Sequence, residues 1–215
     1  MNKKISAFKN ATILFVFLLL VWGLYRYIFQ LPDTIEEIIV KPIIWIGATF
    51  YLVRKEKQKL ESIGLTSKNL FPAIYFAIGL GLIFAVEGIL VNFLKYGHLN
   101  FQANIGSQAM FISLGISIAT AISEEIAFRG YIFTRLWAAL KNEWIANLIT
   151  SILWTAIHVP VTIFVLKYSV NEAVVYLFLT FIYGLGAAFI YARTKNVASS
   201  IFLHVLWEWP INLFR

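Results

Sequence analysis

Seven apolar runs, most of them about as long as a bilayer core is thick, follow one another along this chain of 215 residues: 11–29, 35–53, 70–95, 108–133, 144–166, 172–192 and 199–214. A helix needs about 20 apolar residues to cross about 30 Å of hydrocarbon. Inside lipid the backbone must satisfy its own polar groups, which leaves helices and closed barrels. The runs predict an all-α, polytopic transmembrane bundle of about seven to eight helices, in one domain spanning 1–215. Only 13% of the residues are charged and 60% are hydrophobic, against about 25% and 45–50% in soluble domains, so water is not the main solvent. Trp22, Tyr25, Tyr27, Trp45, Tyr51, Tyr168 and Tyr191 fall towards the ends of runs, where aromatic belts are expected.

The formal net charge of +7 does not point to nucleic acid, because the basic residues sit in short loops between apolar runs. They report topology instead. With the amino terminus in the cytoplasm, the inner segments hold Lys3, Lys4 and Lys9, then Arg54, Lys55, Lys57, Lys59 and Lys68, then Arg135 and Lys141, then Arg193 and Lys195. The outer side keeps Lys41, Lys95, Lys167 and Arg215, so the positive-inside rule predicts amino terminus in and carboxyl terminus out. No small-residue cleavage site follows the first run, which is expected to be a retained span. With no cysteine there is no thiolate chemistry and no disulfide framework. Lys41-Pro42 is expected to kink its helix near the start and Pro160 to kink or end its own; Ser67 or Asn69 should cap the third run. Arg26 is expected to snorkel to the interface, and the charge run 54–61 to be a solvated loop. Gly79-x-Gly81 and Gly184-x-Gly186 are expected at close helix contacts.

A charge near the middle of a spanning helix costs roughly 2.5–3.5 kcal/mol on insertion scales, so such residues face the bundle interior and mark function. The fourth run carries Glu124, Glu125 and Arg129. Glu125 and Arg129 are four apart on one face and pair; Glu124, turned by about 100°, lacks that partner and looks available. The fifth run carries His158 and the last His204 and Glu208, again four apart, while His98 falls in an outer loop. Glu87, inside the third run, is read as structural. Two readings of the cluster stay open. A carboxylate assisted by a histidine can activate water, with further donors for an oxyanion. The same residues can instead ligate a divalent metal such as zinc through Glu124, His158, His204 and Glu208, although no His-Glu-x-x-His helix is present.

In these motifs the chain resembles the CPBP family of intramembrane proteases, the CAAX-protease and bacteriocin-processing group. That family shows Glu-Glu-x-x-x-Arg, Phe-x-x-x-His and His-x-x-x-Asn/Asp on successive late helices. Here they read Glu124-Glu125-x-x-x-Arg129, Trp154-x-x-x-His158 and His204-x-x-x-Glu208, within a motif-bearing core of about 108–214. The resemblance implies about eight helices around an intramembrane polar cavity open towards the membrane. It implies that Glu124 and His158 activate water, that His204 helps hold the oxyanion, and that residue 208 assists His204. Glu125 and Arg129 support the site. Both metal-dependent and metal-free glutamate mechanisms are described for the family. Two positions depart from its pattern: Trp154 for Phe is a packing change, whereas an ionised Glu208 would repel an oxyanion. Asn212 offers an amide instead.

These readings together lead to an intramembrane endopeptidase acting by Glu/His-activated water on a membrane-associated peptide or protein. It is expected as a multi-pass protein of a bacterial cell membrane, in contact with lipid and with no nucleic-acid partner. A leader or signalling peptide is a better candidate substrate there than a prenylated protein. The alternative is a non-catalytic protein of the same fold, acting in bacteriocin self-immunity or binding a partner. A proton-relaying transporter is the third reading, disfavoured because paired inverted repeats are absent.

Overall fold

A computed structural model describes residues 3–29, 31–100 and 110–213. Among the described residues there are seven helices and no strand: α1 (Lys3–Ile28), α2 (33–55), α3 (Leu70–Tyr96), α4 (Met110–Leu140), α5 (Glu143–Val165), α6 (Val170–Thr194) and α7 (Ala198–Leu213). Five of them, all but α2 and α7, are long and apolar enough to cross a membrane on those grounds alone. α2 is set apart by Glu36, Glu37 and Lys41 near its start, and α7 by its 16 residues. The chain is an integral, multi-pass membrane protein.

α4 is the axis. It packs against α1, α2 and α7, while α3 pairs with α7 and α5 with α6. Half of its most apolar stretch is buried inside the bundle, against 17% for α3, whose outer face is left for lipid. All of Ile126–Phe133 is buried. That segment is also a π turn, as are Glu36–Val40 in α2 and Val161–Val165 in α5. Each π bond reaches one residue further back than an α bond does, as where Leu166 N–H donates to the Val161 carbonyl at 2.9 Å.

Those wide turns change what the prolines do. α2 runs through Pro42 and α5 runs through Pro160, so neither residue ends its helix. Proline removes one backbone donor; beside Pro160, Thr162 Oγ1 donates to the His158 carbonyl at 2.6 Å. A Cβ at Gly23 would sit 3.4 Å from Pro160 Cγ, so α1 lies close against this ring. Helix starts follow their sequence signals at Asn142, which accepts from Ile145 N–H at 3.0 Å, and at Ser169, which forms a capping box with Glu172. Asn69 departs from expectation. It takes φ +56° and makes no side-chain cap; its amide instead donates to the Thr194 carbonyl at 3.0 Å, tying α3 to the end of α6.

Several residues expected at the interface are interior. Trp22, Trp45 and Tyr191 are buried, so of the seven aromatics only Tyr27 and Tyr51 are strongly exposed. Arg26 does not snorkel: it is buried in an ion pair with Glu36, which closes the α1–α2 connection. The 54–61 run is largely exposed, but Glu56 accepts from Asn10, Tyr131 and Arg135 at 2.7–2.8 Å and clamps α1, α2 and α4 together. Nearby, Gly64 adopts φ +76° and a Cβ there would meet the Tyr191 ring at 2.8 Å. Of the glycines in Gly79-x-Gly81 and Gly184-x-Gly186, Gly81, Gly184 and Gly186 lie at close contacts, whereas a Cβ at Gly79 would meet nothing within 4 Å.

This difference is testable by unfolding of the purified protein in detergent. Gly184→Val forces a side chain onto Ser151, whose Cβ is 3.1 Å from the added atom, and should cost about 1–3 kcal/mol. Gly79→Ala should leave stability unchanged or raise it by up to about 1 kcal/mol.

Candidate active site

Ionisable side chains from several helices meet at one cavity of about 1040 Å³, whose lining includes Lys41 from α2, Glu124 from α4, His158 from α5, and His204 and Glu208 from α7. The size is at the upper end for ligand pockets, about 300–1,000 Å³. Phe84, Leu179 and Leu206 are among its apolar walls, and Glu87 also lines it. Much of the remaining lining comes from the second half of α3, the end of α5 and the first half of α6, with Trp22 and Arg26 from the end of α1. The cavity therefore lies in the half of the bundle away from the Lys/Arg-rich connections.

The two adjacent acids of α4 occupy different surroundings. Glu125 is fully buried, and its Oε1 is approached at 2.9 Å by Arg129 Nη1, Tyr183 Oη and His204 Nδ1. The Arg129 guanidinium lies 4.3 Å from the centre of the Trp154 ring and 5.4 Å from that of Tyr183. The expected Glu125–Arg129 pair is present, but Glu125 does more than neutralise a charge: it anchors His204 by Nδ1. With that nitrogen carrying the proton, Nε2 is directed towards Glu208, whose Oε2 is 4.0 Å away. Glu208 in turn accepts from Ser117 Oγ of α4 at 2.8 Å.

Glu124 is not without a partner. Its Oε1 accepts from the Lys41 ammonium, and Lys41 also bonds Glu37 Oε2 at 2.6 Å. Thr120, one turn before Glu124, donates to the same Glu37 oxygen at 2.7 Å. Lys41, assigned by charge counting to the outer connection, is thus 4% exposed and faces the cavity. Glu124 Oε2 has no hydrogen-bond partner among the described residues. One oxygen is fixed by a cation and the other is left for chemistry.

His158 is held from below. Its Nδ1 donates to the Trp154 carbonyl at 2.7 Å, which leaves Nε2 as a lone pair. The Trp154 ring, fully buried, contacts both His158 and His204, at centroid distances of 4.6 and 5.6 Å. It separates and orients the two imidazoles from one fixed surface, so the larger ring in place of Phe is accommodated. His98 is exposed beyond the end of α3 and takes no part. The side chain of Asn212 lies outside the described residues.

Among the described residues no three His, Asp or Glu side chains converge as a metal set. One Glu124 oxygen is occupied by an ammonium, and His204 Nδ1 by Glu125. The side chains in this arrangement do not fit an ion. What they do offer is a fixed carboxylate with one oxygen free of hydrogen-bond partners, an imidazole lone pair and a second imidazole flanked by carboxylates. Lys41, Glu37, Thr120 and Tyr183 were not picked out as site residues in the sequence. The available signal was Glu37-x-x-x-Lys41, which has the same four-residue acid–base spacing as Glu125 and Arg129.

Residues 106–210 match the family model described as Rce1-like, Type II CAAX prenyl endopeptidase Rce1-like. The match includes the helical segments that carry Glu124, His158 and His204. No curated protein matches the chain.

Arg129 is the only Lys or Arg side chain paired with Glu125 among the described residues. Arg129→Leu should therefore break a buried ion pair and cost about 3–5 kcal/mol, read as loss of folded protein in detergent. The exposed Lys57→Ala should stay within about 0.5 kcal/mol of wild type in the same measurement.

Proposed function

We propose that the chain, whose residues 106–210 match the Rce1-like family model of type II CAAX prenyl endopeptidases, is an intramembrane endopeptidase that hydrolyses a peptide bond of a membrane-associated peptide or protein. The family supports a CAAX-type intramembrane protease kind of function. The observation that carries the finer reading is the shared cavity: Glu124, one of whose oxygens has no hydrogen-bond partner among the described residues, lines the same space as His158 and His204.

In this reading Glu124 Oε2 takes a proton from water as the water oxygen attacks the scissile carbonyl carbon, whose π electrons move onto its oxygen. His158, with Nε2 unprotonated, assists by accepting a hydrogen bond from the same water. An imidazolium at His204 donates from both nitrogens, to Glu125 through Nδ1 and to the developing oxyanion through Nε2. Collapse of the tetrahedral intermediate breaks the C–N bond, and the proton held by Glu124 passes to the leaving amine. A metal is not needed in this scheme. Glu208, held by Ser117 and beside His204 Nε2, acts as counter-charge to that imidazolium, a role in which a carboxylate in place of an amide is no handicap.

The charge bias of the connections supports an amino terminus in the cytoplasm. Lys41 lies eight residues into α2 and His158 seven from the end of α5, which at 1.5 Å per residue is about 10–12 Å from the outer helix ends. The substrate then meets the site from the outer side, which favours an exported leader or signalling peptide over a prenylated protein presented at the cytoplasmic face.

Comparative peptide mass spectrometry of cells carrying the wild type or Glu124→Ala tests this. Products present with the wild type should fall by about 10²–10⁴-fold in Glu124→Ala and in His158→Ala, with protein levels unchanged and with no effect of a chelator on the purified wild type. If every peptide and phenotype is the same in both variants, catalysis is excluded and a binding or immunity role takes its place.

A further inference from the structure

Lys41 is the one buried ammonium on the cavity wall, and the proteolytic scheme above makes no use of it. Its position is set from several sides. Glu37 and Lys41 are one turn apart on α2, Thr120 and Glu124 one turn apart on α4. The two helices therefore face each other in two rungs, Glu37 with Thr120 at 2.7 Å and Lys41 with Glu124, joined by the Lys41–Glu37 contact at 2.6 Å. The Trp22 and Trp45 rings flank the ammonium with centroids at 5.2 and 5.6 Å, as cation–π partners that exclude water from that side. Glu125 needs none of this, since it has its own cation in Arg129.

Resting on the proteolytic reading, we propose that Lys41 is a positioning residue of the reaction, which pins one oxygen of Glu124 on the cavity wall and holds the carboxylate charged with its other oxygen left without a hydrogen-bond partner. An ammonium has three donors; two are engaged by Glu37 and Glu124. When Glu124 accepts the proton of the attacking water, its attraction for Lys41 weakens, and Glu37, fixed by Thr120, keeps the ammonium paired in place. The site thus passes through its neutral-glutamic-acid state without leaving a lone buried cation. Other charged or titratable groups that line the cavity include Arg26 from α1, Glu87 from α3, His158 from α5, and His204 and Glu208 from α7. None of them is hydrogen-bonded to Glu124 in the way Lys41 is.

The test uses dicyclohexylcarbodiimide, a hydrophobic reagent that adds to protonated carboxyl groups in apolar surroundings, on the full chain in membranes near pH 7, with adducts mapped by mass spectrometry. Glu124 should be almost unmodified in the wild type and in Lys41→Arg. Its labelling should rise about tenfold or more in Lys41→Met, in line with loss of an adjacent opposite charge. The peptide products that depend on Glu124 should fall about 10²-fold in Lys41→Met and be restored at least in part by Lys41→Arg, a rescue that loss of packing alone does not give. Labelling of Glu124 that is ready in the wild type, or equal in wild type and a folded Lys41→Met, overturns the proposal; the wild-type measurement alone decides this if Lys41→Met does not fold. Should the wild type make no Glu124-dependent product, proteolysis is what fails, while the labelling still reports whether Lys41 holds Glu124.

Discussion

A carboxylate inside a bilayer-spanning bundle must find a cation or hydrogen-bond donors, because neither lipid nor apolar side chains will solvate it. In this protein α4 presents two such groups in succession, and the architecture around it answers both. Glu125 turns towards α6 and α7, where Arg129 of its own helix, Tyr183 and His204 meet it. Glu124 turns towards α2, where Lys41 meets it. The placement of α2, the helix least suited to cross a membrane by composition, follows from that second demand. Its Glu37 and Lys41 are unwelcome in lipid and welcome against α4.

The two solutions differ in what they leave over. Around Glu125 the partners are aromatic, close and enclosed, and the result is a fixed hub that orients an imidazole. Around Glu124 the partners lie on one side, and the other side is cavity. A site of this kind separates the groups that carry shape from the group that carries reactivity, although both sit on neighbouring residues of one helix. Trp154 belongs to the first set: it stacks beneath Arg129 and sets the spacing of His158 and His204 from a single buried ring.

Much of this was legible in the sequence, and the gaps have physical causes. Seven apolar runs became seven helices with ends shifted by a few residues, except at the start of α1 and the end of α4, which run further. The pairing of Glu125 with Arg129, and the convergence of Glu124, His158 and His204 on one cavity, followed from four-residue spacing and from the cost of isolated charge. Lys41 and Arg26 were misplaced because a charge near the end of an apolar run reads as interfacial, and only the packing of α2 on α4 and on the end of α1 makes those ends interior. Trp22 and Trp45 were misplaced for the same reason. Glu56 looked like one charge in a solvated run; its three partners come from residues 10, 131 and 135, a set no local pattern displays.

The π turns carry a consequence for comparing this chain with its kin. Three of the helices that build the cavity hold a stretch with one residue more per widened turn than an ordinary helix would use. The halves of α2, α4 and α5 on either side of that stretch are offset in phase. A relative lacking one of these bulges, yet keeping the same inward-facing groups, must differ by a single residue in the middle of a span. Alignment gaps inside hydrophobic segments, ordinarily a sign of error, would in this fold mark where the helical winding itself has been inherited or lost.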